Sequence, residues 1–429
     1  VSAVVAFAGR IVTCDPRRSD ANNPLGAILD GGVLAEDGRI VCAGRRAEVL
    51  ARAQGAAVLA DAPDAVITPG LCDAHTHAAF AGSRHDEYRR RMAGASYETI
   101  AREGGGILAT VRAVRAATRA DLSRELARRL SRMAALGVTT VEVKSGYGLD
   151  ADCERKQLEA VADVALDGVL PRVVPTYLAL HALPDTSVGS RDAYVAAAAE
   201  LVRQFARERL AQYVDAYVDR GAFSVAEAEV VARVAREEGL GVRLHAGQFA
   251  DVGAAALAAR VGAASADHLE NVGAADLAAL AAAGTRAILL PVASFTLAQA
   301  PPPTALMRSA GVVIIVASDA NPGTAPTESL PLALALAVRS YGLSPDEALL
   351  GATREAAISL GLGERAGALS PGYDADFVVW DLPHEHAIVQ PWGSPKVRLV
   401  TRAGQSIAGS WLASDDTPLP VVSPLYPTR

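Results

Sequence analysis

Two histidines one residue apart, His75 and His77, close an apolar run that begins near Val66. Strand side chains alternate with period two, so His-x-His on an extended backbone puts both imidazoles on one face, within reach of a single metal ion. A strand merely passing into a polar loop could show the same pair. The other histidines separate these readings. Of eight in the chain, five (His75, His77, His181, His245 and His268) stand at the ends of apolar, strand-like runs. One such residue is ordinarily a satisfied structural group, but five in equivalent places describe a rim. The imidazoles of His75, His77 and His245 with the carboxylate of Asp319 form a donor set that suits zinc or iron at roughly 2.0 to 2.2 Å, with a position left for water. Such an ion lowers the pKa of its water toward ~7. Asp319 would then serve as ligand and as proton acceptor. His268 would stabilise the oxyanion that develops when water attacks a carbonyl or amidine-like carbon. A dinuclear centre needs a bridging group, often a carboxylated lysine ending the fourth strand. That position reads Val218-Asp219-Arg220, so one Zn²⁺ or Fe³⁺ per chain is expected.

Groups scattered from residue 75 to 319 need a scaffold that gathers strand ends. Residues 1–67 carry short β-type runs, Val4 to Ala8, Arg10 to Thr13, Gly32 to Ala35 and Arg39 to Ala43, with Glu36-Asp37-Gly38 as a turn. Between 68 and 372 apolar strands alternate with amphipathic helices. Eight strands are expected: Val66 to His75, Val138 to Lys144, Arg172 to Leu180, Gln212 to Asp219, Val242 to Ala246, Ala263 to His268, Arg286 to Pro291 and Val312 to Asp319. Asp121 to Leu136 and Ser224 to Glu238 read as helices, the second opening on the capping box Ser224-Val225-Ala226-Glu227 with Phe223 as a staple. Eight strand–helix units predict a (β/α)₈ barrel, whose chemistry sits at the carboxyl ends of the strands. Beyond 372, Asp376 to Trp380 and Val397 to Arg402 return to β character. Residues 1–67 and 373–429 are therefore expected to share one small β-sandwich domain beside the barrel.

Composition narrows the classes. The net charge is −7, from 41 basic and 48 acidic residues, and no basic cluster stands apart from a helical face, which excludes a nucleic-acid footprint. Only Lys144, Lys156 and Lys396 are lysines. The four cysteines, Cys14, Cys42, Cys72 and Cys153, lack CxxC spacing, so neither a disulfide framework nor a thiolate zinc site is expected. No apolar run approaches the ~20 residues of a membrane span, and the start lacks a signal-peptide pattern. A cytoplasmic enzyme of a small molecule is the expectation.

On His75-Thr76-His77, His245, His268, Asp319 and the split β domain, the chain resembles the amidohydrolase superfamily. Longer strings are more specific. Phe80-Ala81-Gly82-Ser83-Arg84, Ala93-Gly94-Ala95-Ser96-Tyr97, Gly104-Gly105-Gly106-Ile107, Val141 through Leu149, Ser265 through Glu270 and Asn321-Pro322-Gly323 resemble the imidazolonepropionase family, over nearly the whole chain. The resemblance implies hydrolytic opening of 4-imidazolone-5-propanoate to N-formimino-L-glutamate in histidine breakdown, and a homodimer. It implies the same four metal ligands, and substrate contacts from Arg84, Tyr97, Tyr147, His181, Gln248, Asn321, Gly323 and Thr324. Arg84 would hold the propanoate bidentately. Tyr147, His181 and Gln248 would donate to or accept from the ring. Asp319, His268 and Gln248 are the expected catalytic residues. Gly247 and Ala320 depart from the family's usual residues beside the pocket.

Two other classes compete with this reading. Another mononuclear amidohydrolase, such as a heterocycle deaminase, would need an acid where Gln248 stands, commonly a glutamate three residues after the strand-five histidine. A non-catalytic relative would have lost metal ligands, and all four candidates are present.

Overall fold

The computed structural model describes residues 3–95, 99–100, 103–184, 190–390, 392 and 396–409. Tyr97 and residues 410–429 of the expected small domain lie outside these. The described strands form two sheets. In chain order they are β1 (Ala3–Val12), β2 (Ala27–Glu36), β3 (Arg39–Arg45), β4 (Ala57–Pro69), β5 (Leu71–Asp73), β6 (Val138–Lys144), β7 (Arg172–Leu180), β8 (Tyr213–Val218), β9 (Gly241–Ala246), β10 (Ser265–His268), β11 (Arg286–Leu289), β12 (Ile314–Val316), β13 (Phe377–Trp380), β14 (Val397–Arg402) and β15 (Gln405–Gly409).

Both ends of the chain meet in one sheet of order β15-β14-β13-β4-β1-β2-β3. Its alternation buries Ala6, Ile11, Val33, Ile67, Phe377 and Leu399 on one face, and Val5, Phe7 and Leu34 on the other with Val49. The runs expected as Val4 to Ala8 and Arg10 to Thr13 are a single strand, β1. Gly9 lets it continue: a Cβ there would lie 1.9 Å from the carbonyl oxygen of Pro63, beside a register shift against β4. Gly38, at φ +79°, closes the β2–β3 hairpin as the turn signal implied.

Val66 to Pro69 is not part of the barrel. It ends β4, which pairs with β1 and β13, and the chain crosses to the barrel at Gly70. A Cβ at Gly70 would meet Thr139 Oγ1 at 2.1 Å, so only glycine passes this close to β6. The apolar run is continuous because both sheets bury it, which hides the boundary from periodicity.

Strands β5 to β12 follow one another as eight parallel neighbours. The seam between β12 and β5 is closed beyond their carboxyl ends by a parallel bridge between Thr76 and Ala320. Ser318 N–H donates to Asp73 Oδ1 at 3.0 Å, and Asp319 N–H to the His75 carbonyl at 3.1 Å. The architecture is the expected (β/α)₈ barrel with a second sheet from both chain ends. Helix Arg119–Ala135 starts at a capping box on Thr118 and buries Leu122, Leu126, Leu130 and Met133 at helical spacing. Helix Val225–Glu237 follows the predicted Ser224–Glu227 box, in which each partner satisfies a free amide; an N-cap of this kind contributes about 1 kcal/mol. All four cysteines are free. Among the described residues, no helix is long and apolar enough to cross a membrane.

Candidate active site

Just past β5 the chain stays extended, and Thr76 turns away to donate from Oγ1 to the Glu142 carbonyl at 2.7 Å. Alternation then puts His75 and His77 together on the opposite side. His245 arrives near the end of β9. One ring nitrogen from each of the three histidines lies within 4.8 Å of the others, and His245 Nε2 is 3.2 Å from His77 Nε2. Asp319, in the left-handed region at φ +54°, brings Oδ1 to 3.5 Å from Nε2 of both His75 and His77. The fit to a metal ion can be judged on these atoms. His75 Nε2 is buried without a hydrogen-bond partner. Four tetrahedral donors at ~2.1 Å from one ion stand about 3.4 Å apart, close to the spacings found. The residues therefore suit one metal ion, and among the described residues no second set of carboxylates and imidazoles adjoins it to make a dinuclear centre.

Carboxylates behind the rings set their tautomers. Asp267 Oδ2 lies 2.6 Å from His75 Nδ1, and Asp215 lies 3.1 Å from His245 Nδ1. Accepting the Nδ1 proton leaves each Nε2 lone pair for the metal. Asp215 also contacts Lys144 Nζ at 2.8 Å, and Glu142 Oε1 contacts it at 2.7 Å, all three side chains being inaccessible to solvent. Burial alone would depress the lysine; Asp215 and Glu142 outweigh it and hold the ammonium above its ordinary pKa. Asp215 in turn, opposed by burial, is kept well below the carboxylate range by His245 and Lys144. A buried ladder of alternating charge thus lies under the metal position. Burial pushes Asp319 up to about 7.

Above this floor is a cavity of about 280 Å³ lined by His77, Arg84, Tyr147, His181, Gln248, His268, Asp319, Asn321 and Thr324 among others, with Ile107, Phe249 and Leu297 as apolar wall. The loop after β6 is held from helix Ala151–Ala165: Glu154 accepts amides of Gly146, Gly148 and Leu149, and Gln157 accepts that of Tyr147. This fixes the phenol over the site, 5.2 Å from the His181 ring. His181 donates Nδ1–H to the Gly146 carbonyl at 2.8 Å, and burial lowers its pKa to about 3. Gln248 Oε1 accepts the Tyr217 hydroxyl at 3.1 Å. Arg84 sends Nε and Nη2 to Glu87 at 2.9 and 2.6 Å.

Asn321, Gly323 and Thr324 come together differently from the expectation. Asn321 Oδ1 accepts the amides of Gly323 and Thr324 at 2.8 and 2.7 Å, and its Nδ2 donates to the Asp319 carbonyl. The Gly323 amide is thus used inside the loop. What Gly323 supplies is space, since a Cβ there would stand 2.2 Å from Arg84 Nη1. Gly247, one of the departures, has φ +65° and would set a Cβ 2.4 Å from the Asn271 carbonyl oxygen, so the local turn requires glycine. Tyr97 cannot be placed, lying outside the described residues.

The sequence reading missed Glu142, Asp215, Asp267 and Glu270 as parts of the site. A signal existed: a carboxylate flanked by apolar residues in a fully buried strand, such as Glu142 between Val141 and Val143, needs a buried partner.

The sequence profile described as the amidohydrolase family matches residues 66–407. An imidazolonepropionase from Acidiphilium cryptum is 46% identical over 375 residues, covering 87% of this chain and 91% of that one. Another from Methylobacterium nodulans is 44% identical, covering 89% and 95%. Among solved structures, a triazine hydrolase variant superposes with a TM-score of 0.76 at 16% identity over 96% of both chains. A zinc-bound adenosine deaminase from Xanthomonas campestris gives 0.71 at 21% identity, over 96% of this chain and 94% of its own. At such identities those two speak for the fold alone. The sequence relatives carry further, and by them the chain is a hydrolase that belongs to the imidazolonepropionase family of amidohydrolases.

Proposed function

We propose that the site opens the ring of 4-imidazolone-5-propanoate by hydrolysis to N-formimino-L-glutamate. One observation carries this reading: a guanidinium, Arg84, lines the same small cavity as a buried cluster of imidazoles and the Asp319 carboxyl group. A flat heterocycle bearing a short carboxylate matches both ends. His75, His77, His245 and Asp319 would hold a single zinc or iron ion, which supplies Lewis acidity and lowers the pKa of water toward ~7.

The protein's own groups do the rest. Arg84 binds the propanoate and thereby orients the ring. Tyr147 and His181 meet the ring nitrogens; Gln248, its oxygen occupied by Tyr217, offers its amide N–H to the ring. Asp319 takes a proton from the attacking water, whose oxygen bonds to the ring carbonyl carbon. His268 donates to the carbonyl oxygen as charge develops there. The C–N bond then breaks, and the leaving nitrogen takes the proton that Asp319 returns. The carbonyl carbon ends as a carboxylic acid, which gives its proton to solvent to become the carboxylate, and the nitrogen remains in the formimino group. The family resemblance extends the reading to a homodimer in the cytoplasm.

The test is to offer purified, metal-loaded protein enzymatically generated imidazolonepropanoate and follow the ring's ultraviolet absorbance. Decay well above the spontaneous rate is expected; decay at the spontaneous rate overturns the reading. Arg84→Lys should lower kcat/KM, mainly through KM, while metal content is unchanged, because a point charge replaces a planar fork. An unaltered kcat/KM would make Arg84 only the ion-pair partner of Glu87.

A further inference from the structure

Behind His268 stands a carboxyl that the mechanism above does not use. Glu270 Oε2 and His268 Nδ1 are both buried, both lack a hydrogen-bond partner, and lie 3.9 Å apart. The other oxygen, Oε1, accepts the Ser294 hydroxyl at 2.5 Å, and Ser294 Oγ accepts the Tyr341 hydroxyl at 2.6 Å. A serine has one proton to give, so the chain runs one way, from Tyr341 through Ser294 to Glu270. Oε2 is left as the only unmet polar atom of the carboxyl, and the imidazole nitrogen is its neighbour. The backbone brings the two residues together at a cost: His268 and Leu269 both take positive φ, +78° and +64°. Two successive non-glycine residues there are strained, and such strain persists where surrounding structure holds a functional arrangement.

We propose that Glu270 is a positioning residue for His268: when its carboxyl is protonated and the 3.9 Å gap closes to hydrogen-bonding distance, Oε2 donates to Nδ1 and so keeps the imidazole proton on Nε2. His268 is then a neutral hydrogen-bond donor, the form needed to meet a developing oxyanion. The electrostatics agree with this arrangement. Burial, reinforced by Asp219 and opposed by Ser294, pushes Glu270 up to about 7. The groups facing Glu270 are Ser294, Tyr341, Asp219 and His268; burial holds the Tyr341 phenol protonated. As pH rises through the glutamate's pKa, Oε2 becomes an acceptor, the proton moves to Nδ1, and Nε2 loses its hydrogen. Activity should therefore fall on the alkaline side.

The catalytic consequence rests on the ring-opening reading; the tautomer itself does not. Two variants separate a proton-placing role from a structural one. In Glu270→Gln the amide N–H can donate to Nδ1 and its oxygen can accept from Ser294, with no ionisation. In Glu270→Leu neither bond remains. For Glu270→Leu, kcat should drop about 10- to 100-fold with KM and metal content unchanged. Glu270→Gln should stay within about threefold of the parent, and the alkaline fall assigned to Glu270 should vanish from its kcat–pH profile. Equal losses in both variants, or an alkaline fall persisting in Glu270→Gln, overturn the proposal. Nitrogen-15 spectra of histidine-labelled protein, with His268 assigned by difference from His268→Ala, read the tautomer without substrate. Nε2–H is expected below neutrality in the parent and in Glu270→Gln, and Nδ1–H in the parent overturns the inference. A parent protein inactive on imidazolonepropanoate but showing Nε2–H would sink the functional reading instead.

Discussion

His268→Ala is expected to retain one metal equivalent per chain and to lose about 10²- to 10³-fold in kcat, roughly 2.7 to 4 kcal/mol of transition-state stabilisation. The metal should stay because the donor atoms that converge belong to His75, His77, His245 and Asp319; His268 is not part of that set. It lines the same cavity and stands 5.4 Å from His245, ring centre to ring centre, which is the position of a group acting on substrate. The loss should fall on kcat more than KM, since the interaction strengthens as the oxyanion forms. Elemental analysis and steady-state kinetics on one preparation distinguish the outcomes. Loss of metal with activity would make His268 a ligand, and retention of both would leave it structural. Two metal equivalents in the parent protein would contradict the mononuclear site.

The second large effect is Lys144→Met, which should destabilise the protein by about 3 to 5 kcal/mol, the range for removing one partner of a buried ion pair. Methionine fills much of the volume, so the loss isolates the charge. Without the ammonium, Glu142 and Asp215 would stand buried and uncompensated, with Asp267 close by on the next but one strand. Asp215 would then be protonated or displaced, and the orientation of His245 would go with it. Metal affinity should fall by about 10- to 100-fold, as for other groups that support a ligand. The lysine's pKa is raised on folding, so its contribution is fully present below its ordinary value of 10.5 and fades only as pH climbs through the higher folded value. The destabilisation should thus be constant around neutrality. Urea unfolding at several pH values, with a competing chelator titration, provides the measurement; an unchanged midpoint would mean that the carboxylates are neutral and the lysine incidental.

Much of this was legible beforehand, and the reasons are specific. Val138 to Lys144 is a fully buried strand and Arg172 to Leu180 a largely buried one, and both were bounded to the residue. The Ser224 box announced its helix because capping is local chemistry. His75 and His77 could be paired by alternation alone. By contrast, Asp215 and Asp267 act on Lys144, His245 and His75, which lie far along the chain, and Glu142 and Glu270, though only two residues from Lys144 and His268, gain their roles from Asp215 and Ser294 brought in by other elements. Propensity carries no information about such pairs. The end of β4 was misplaced for a related reason: Val66 to Asp73 is buried by two sheets in succession, so hydrophobicity never breaks, and only Pro69-Gly70 marks the crossing.

The sheet built from both ends also dictates an order of events during synthesis. β4 occupies the middle of that sheet, between β1 and β13, yet Val66 to Pro69 must wait for Phe377 to Trp380 before its second edge is paired. At ~5 to 20 residues per second, a separation of roughly 300 residues means a delay of about 15 to 60 s on the ribosome. For that interval the nascent chain presents an apolar, hydrogen-bond-hungry strand edge, the surface most prone to pairing with a neighbouring chain. The barrel's first strand begins directly after it, so the segment that carries the metal-binding histidines adjoins the strand whose second edge is paired late.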